Sequence, residues 1–256
     1  MTQAVADGST VKIYYESRVI PLNLPQNLDL DEAYNDITED QEEDVKQRLK
    51  SKWSRIEALA GAKPRIEALA KDIIQHFETR QQAMTGKGMI VTMSRRIAVD
   101  LYDEIIRLKP EWHSDDDDKG VIKVVMTGSS SDPASFQRHI GPKKRRNVLE
   151  KRMKDVNDEL QLVIVRDMWL TGFDVPSMHT MYIDKPMKGH NLMQAIARVN
   201  RVFKDKPGGL IVDYVGIAES LKEALKEYTE SDQAQTAIDT DKAVELMLLL
   251  SLIHIS

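Results

Sequence analysis

Gln194, Arg198 and Arg201 stand out within Asn191-Leu-Met-Gln-Ala-Ile-Ala-Arg-Val-Asn-Arg-Val-Phe203, because two arginines about one turn apart can hold a ligand that bears several oxygens. If the stretch is helical at about 100° per residue and Gln194 is set at zero, Arg198 lies near about 40° and Arg201 near about −20°. On the same wheel Leu192, Ile196, Val199 and Phe203 fall between about 140° and about 200°. The long polar side chains thus share one face, opposite an apolar stripe. A planar guanidinium fork matches phosphate geometry better than a lysine ammonium does. The Gln194 amide could donate to phosphate oxygens or position a water. A solvated amphipathic helix carries the same residue types, so this stretch alone does not decide the chemistry.

Two further stretches end apolar runs with groups suited to anions. Leu162-Val-Ile-Val-Arg-Asp-Met-Trp-Leu-Thr-Gly-Phe-Asp-Val-Pro176 reads as a buried strand that runs out into Thr171, Gly172, Phe173 and Asp174 and stops at Pro176. Gly172 would let backbone approach a ligand closely. Thr171 offers a hydroxyl and an amide to a phosphate, and Asp174 could accept from a ribose hydroxyl or an arginine. Ordinary turn chemistry uses the same residues. In Gly88-Met-Ile-Val-Thr-Met-Ser-Arg-Arg-Ile97, Ser94 follows a strand and would cap the next helix, whose N-terminus can bind phosphate; Arg95 and Arg96 add charge there. A plain capped helix with solvated arginines reads the same way. Lys143 to Lys154 holds seven bases and one acid, the strongly basic block of an acidic chain. It suits a phosphate-backbone contact or a solvated helix face.

For residues 94, 171 and 198 to act together, the fold must bring them to one edge. The apolar runs Met89–Met93, Val121–Met126, Leu160–Val165, Thr180–Ile183 and Leu210–Val212 alternate with helical patterns such as Arg96–Leu108 and Asn147–Val156. Val- and Ile-rich runs without polar alternation predict a parallel sheet covered on both faces. With right-handed crossovers this gives a three-layer α/β domain, whose ligands sit at the carboxyl ends of strands. Upstream, Val11–Val19 is strand-like. Val45–Arg80 is helical with a break at Gly61 and Pro64, burying Ile66, Leu69, Ile73 and Phe77 on one face. The phrase Arg-Ile-Glu-Ala-Leu-Ala occurs at Arg55 and again at Arg65. Leu28 to Asp44 carries nine acids and no base, and reads as a solvated loop and helix start. Residues 216–247 look helical, with Leu221, Leu225 and Tyr228 in period. Leu250-Ser-Leu-Ile-His-Ile-Ser256 has no cap, turn or period and reads as non-native sequence.

Composition narrows the classes. A length of 256 residues allows one to two domains, and 30% charged with 41% hydrophobic residues is a globular balance. No apolar run approaches the roughly 18 residues of a membrane span. The chain has no cysteine, which excludes a disulfide scaffold, a cysteine nucleophile and cysteine-ligated zinc, and fits a cytoplasmic location. A net charge of −5 limits nucleic-acid binding to local basic patches. Three Trp, seven Tyr and four Phe are too few for a base-stacking platform.

In their order and spacing the stretches at Ser94, Thr171–Pro176 and Gln194–Arg201 resemble motifs IV, V and VI of superfamily 2 helicases and translocases. Their wording is closer still to the R subunit, the restriction and motor subunit, of type I restriction enzymes. Trp169-Leu-Thr-Gly-Phe-Asp-Val-Pro176 resembles that family's motif V, and Gln194-Ala-Ile-Ala-Arg-Val-Asn-Arg201 its motif VI. Thr180-Met-Tyr-Ile-Asp-Lys-Pro-Met187 and Pro207-Gly-Gly-Leu-Ile-Val-Asp-Tyr-Val215 also fit. The resemblance runs over residues 8–230.

It implies the second RecA-like motor domain of such a subunit: α/β, three-layered, with a mainly parallel sheet and helical flanking segments. ATP with Mg²⁺ would sit in a cleft between two such domains, with the magnesium held by the first. By position, Arg201 looks like the arginine finger and Arg198 its neighbour, with Gln194 at the same cleft and Gly172 and Asp174 at the nucleotide. Ser94, Arg95 and Thr171 resemble contacts to the DNA backbone. No metal ligand is implied in this chain. The expected partners are double-stranded DNA, the first motor domain and nuclease domain of the same subunit, and the modification and specificity subunits, with no membrane. The expected organisation is a linker region from the preceding motor domain over 1–80, the second motor domain over 81–218 and the start of a helical C-terminal region over 219–256. The departures are equally definite. No Gly-x-x-x-x-Gly-Lys-Ser/Thr loop occurs, Thr85-Gly-Lys-Gly88 lacks its first glycine and its hydroxyl residue, and no Asp-Glu-x-His box is present. Ala197 stands where many superfamily 2 motifs have glycine. This chain alone is therefore expected neither to hydrolyse ATP nor to cut DNA. Another superfamily 2 motor, or a catalytically inactive RecA-like interaction module, are the competing readings.

Overall fold

The computed structural model describes residues 11–22 and 53–233, with side chains through 225. The acidic stretch Leu28–Asp44, the helical pattern beyond 233 and the final seven residues lie outside the described residues. Six strands form a single all-parallel sheet: β1 (Lys12–Ser17), β2 (Lys87–Thr92), β3 (Ile122–Val124), β4 (Leu162–Val165), β5 (Met178–Asp184) and β6 (Gly208–Asp213). Their spatial order is β1-β6-β5-β2-β4-β3. A helical stretch over 53–60 is followed by α1 (Lys63–Ala83), α2 (Arg95–Leu108), the single turn α3 (Ala134–Gln137), α4 (Lys143–Lys154), α5 (Gly189–Val199) and α6 (Ala218–Gln233).

Every residue of β2, β4, β5 and β6 is buried, which is why these strands show no polar alternation. Ile90, Ile164 and Val212 face one layer, where Ile66, Leu69, Ile73 and Phe77 of α1 pack with Ile97, Leu101 and Ile105 of α2. Met89, Val91, Val163, Met181 and Ile211 face the other. There they meet Leu149 and Met153 of α4, Leu192, Ile196 and Val199 of α5, and Leu221 of α6. This is the three-layer α/β arrangement expected from the runs. β1 is the edge strand beside β6, and residue 80 falls inside α1, so the packed unit includes both. Among the described residues no helix is long and apolar enough to cross a membrane.

β4 and β5 lie on either side of β2 and run parallel to it, so the chain after Val165 must pass over β2 to reach the amino end of β5. It does so without a helix, and Leu170, Phe173 and Val175 of the crossing bury themselves in the second core. The strand order thus turns at β2, which opens a crevice at the carboxyl ends of the strands.

One helix boundary differs from the wheel drawn above. α5 stops at Val199, and Arg201 and Phe203 lie beyond it. The cause is tertiary. The Val199 carbonyl accepts from Lys206 Nζ (3.1 Å), and that ammonium also donates to the carbonyls of Pro176 (3.1 Å) and Met178 (3.0 Å). A side chain at Gly209 would collide with the same Val199 carbonyl, so β6 packs directly on the helix end. The basic block also divides. It forms α4, whose Arg145 binds Asp117 (2.6 Å) and whose buried Arg152 holds Asp158 and the carbonyls of Asp117, Lys119 and Gly120. Those two bases clasp the acidic loop instead of facing solvent.

Candidate functional site

The crossing loop runs along α5: Thr171 meets Gln194 near the carboxyl ends of the strands, and Phe173 and Asp174 meet the end of the helix, beside the amino ends of β5 and β6. Gly172 has φ +66° and open space where a side chain would be, and Trp169 has φ +67°. The Trp169 ring stacks on Phe173 with centroids 4.1 Å apart. That stack orients the Phe173 carbonyl, which accepts a hydrogen bond from Arg198 Nη1. Arg198 Nε donates to the Gln194 carbonyl one turn back (3.2 Å). Burial, reinforced by the neighbouring Arg201 charge, lowers the Arg198 pKa from its ordinary value. Arg201, just past the helix, reaches Asp174 across the gap, Nε to Oδ1 at 3.2 Å. Gln194 turns its amide to the His190 ring and lines a pocket of about 270 Å³ shared with Thr171, Lys185 and Asn191. Thus Gln194, Arg198, Arg201, Thr171 and Asp174 are gathered, although 191–203 is not one continuous helix.

Ser94 and Arg95 lie on the adjoining side of the crevice. Ser94 caps α2, its Oγ accepting from the Ile97 amide (3.3 Å). Arg95 is held by Asp132, with Nη1 and Nη2 donating to the two carboxylate oxygens at 2.8 and 2.9 Å. The pairing raises the Arg95 pKa and lowers that of Asp132. Arg95 and Arg166 line a second pocket, of about 460 Å³, over the ends of β3 and β4. Asp167 lines both pockets and binds Lys185 between them.

Several groups that build this edge were not singled out in the sequence. Arg65 and Asp184 form a buried pair (2.5 and 3.2 Å), and Arg65 also donates to the carbonyls of Ala60, Ile20 and Tyr214. It thereby ties the start of α1 to the ends of β5 and β6. Lys206 plays the same part at the amino ends of β5 and β6, its pKa lowered by burial to about 8. Lys87, within Thr85-Gly-Lys-Gly88, is buried against the carbonyls of Asp158 (2.7 Å) and Leu160 (2.6 Å) at the opposite, amino end of its strand. It is a structural tie and does not act as a phosphate-loop lysine.

The donors at the edge are guanidinium, amide and hydroxyl groups, and Asp174 is already matched to Arg201. Such a set fits phosphate oxygens better than a metal ion. Among the described residues no group of three His, Cys, Asp or Glu is placed to hold a metal.

Residues 68–216 match the family described as type I restriction enzyme subunit R domain 3. The chain is 52% identical over 235 residues to the type I restriction enzyme HindI endonuclease subunit of Haemophilus influenzae, covering 90% of this chain and 22% of that protein. It is 44% identical over 249 residues to a chain assigned as the type I restriction enzyme MjaIXP endonuclease subunit of Methanocaldococcus jannaschii, covering 96% and 23%. The chain therefore spans less than a quarter of the length of these curated relatives. A fragment structure assigned to an HsdR subunit of a type I restriction enzyme from Vibrio vulnificus YJ016 shares the fold, with a TM-score of 0.53 at 16% identity over 84% of this chain and 34% of that one. With a family match over more than half of its residues, this chain belongs to the type I restriction enzyme R subunits, of which it carries domain 3.

Proposed function

We propose that the chain is the second motor half of an ATP-dependent DNA translocase within a type I restriction endonuclease. The observation that carries this reading is the meeting of the 169–176 loop with α5, which leaves Arg201 exposed on Asp174 beside Arg198 and Gln194. Arg201 and Asp174 are 45% and 58% exposed, and ion pairs of that kind are worth about 0–1 kcal/mol. A phosphate arriving at the end of α5 can therefore take the guanidinium from the carboxylate at little cost. Bound ATP with Mg²⁺ supplies the phosphoryl group, and the first motor domain supplies the phosphate loop and the magnesium-binding acid. On this side Arg201 stabilises the charge on the phosphoryl oxygens, while Arg198 fixes the loop against the helix. Gly172 keeps the approach open, and Gln194 orients groups in the same cleft. Ser94, Arg95 and Thr171 border the surface that meets the DNA backbone, where contacts are independent of sequence. The first motor and nuclease domains of the subunit, and the modification and specificity subunits, are the partners.

The test is Arg201→Ala in the complete subunit. DNA-stimulated ATP hydrolysis should fall by about 10³-fold or more, the usual worth of such a finger, with duplex binding retained. A rate near wild type defeats the assignment. Stimulation by single-stranded RNA in preference to duplex DNA would indicate another superfamily 2 motor, and no nucleotide turnover at all would indicate an inactive interaction module.

A further inference from the structure

The two arginines that line the 460 Å³ pocket are in different states. Arg95 has both Nη groups engaged. Its Nη1 donates to Asp132 Oδ2 (2.8 Å) and to the Thr127 carbonyl (3.0 Å), and its Nη2 donates to Asp132 Oδ1 (2.9 Å). The same Asp132 accepts the Ser129 amide (2.8 Å), and the Arg95 guanidinium lies over the Phe136 ring. The loop beneath is tight: a side chain at Gly128 would collide with Ile140 and lie 2.7 Å from Asp132 Oδ2. A bidentate arginine–carboxylate pair is among the strong hydrogen-bonded contacts. The fork of Arg95 that would match a phosphate is thus occupied by its own chain.

Arg166, at the end of β4 on the other wall, is engaged only through Nε. That atom donates to the Met93 carbonyl (3.2 Å) and is the nitrogen nearest Asp167 (3.3 Å). Among the described residues neither Nη group of Arg166 makes a hydrogen bond, and the side chain is 50% exposed. Met93 immediately precedes Ser94, so this bond fixes Arg166 to the start of α2 and leaves its Nη pair to the pocket.

We infer that Arg166 is the phosphate-binding residue of this pocket, and that Arg95 with Asp132 is the brace that shapes it. The inference rests on the translocase reading, which makes the phosphate that of a duplex backbone; a free nucleotide offers the same chemistry. The test uses the complete subunit, a duplex of arbitrary sequence, and the variants Arg166→Met, Arg166→Lys and Arg95→Met. Affinity is measured across a salt series, with the thermal midpoint and the KM for ATP recorded alongside. Loss of one phosphate contact lowers the slope of log K against log salt by about 0.9. Arg166→Met should show that loss and bind roughly tenfold more weakly, the worth of one hydrogen bond to a charged group, with midpoint and KM unchanged. Arg166→Lys should restore the slope. Arg95→Met should lower the midpoint and leave the slope in place. An unchanged slope in Arg166→Met overturns the inference, as does a slope loss in Arg95→Met at a wild-type midpoint. An effect of Arg166→Met confined to the KM for ATP also overturns it, by moving the site to the nucleotide. If wild-type subunit shows no salt-dependent duplex binding, the translocase reading fails and the inference falls with it.

Discussion

Trp169 and Gly172 carry the backbone through the left-handed region at φ +67° and +66°, three positions apart in one loop. For glycine the conformation is free, whereas for a bulky residue it is an outlier that surrounding contacts must enforce. At Trp169 the enforcing contact is the stack on Phe173. The loop's geometry is thus set twice, and both settings aim the Phe173 carbonyl at Arg198. Gly172→Ala has open space for its methyl group, so its cost is conformational and should be about 1 kcal/mol of folding stability. Gly172→Asn should cost less, because asparagine enters this region more readily than alanine. Denaturant midpoints of the two variants check the order, and an unperturbed Gly172→Ala midpoint would contradict the left-handed assignment. Gly172 was legible in the sequence as a glycine between a threonine and an apolar residue. Nothing in the local wording marked Trp169, because its backbone follows from an aromatic contact.

At the scale of elements, the end of α5 shows where periodicity stops being informative. Arg201 and Phe203 fit the helical wheel, yet the helix stops at Val199 because Lys206 takes its last carbonyl from the side. Lys206→Met should leave the carbonyls of Pro176, Met178 and Val199 without that donor and destabilise the fold by about 1–3 kcal/mol, measurable by chemical denaturation. It should also loosen the Arg201–Asp174 approach, since both flanking segments hang from the same ammonium. The twin hexapeptides at Arg55 and Arg65 make the same point. The two arginines have identical local sequence, but Arg55 is exposed while Arg65 is buried on Asp184, 119 positions away. Strands were legible to within a few residues because a two-sided apolar run is a local property. Ion pairs that organise the edge, such as Arg95–Asp132 and Arg65–Asp184, were not, because each joins residues of segments far apart in the chain.

For the whole molecule, two buried histidines set the response to acid. Burial depresses His139 and His179 from an ordinary 6.5 to about 3, and nearby arginines add to the effect. The folded chain then binds fewer protons than the unfolded chain between these values. Stability should therefore fall as pH drops below about 6.5, by up to about 1.4 kcal/mol per pH unit for each histidine, until the folded pKa is reached. Unfolding free energies at pH 7, 6 and 5 test this, and His139→Gln should flatten the dependence by about one proton's worth; a flat wild-type profile would refute it. The sheet that encloses these groups has a further property. Its opening strand lies against its closing one, with Tyr15 bonded to Asp213 at a separation of 198 positions. On a ribosome adding about 5–20 residues per second, β1 must wait roughly 10–40 s for its neighbour to be made. Until then two hydrogen-bonding edges stand open, β1's own and that of the growing sheet, so nascent chains truncated before β6 should be the ones that engage chaperones or aggregate.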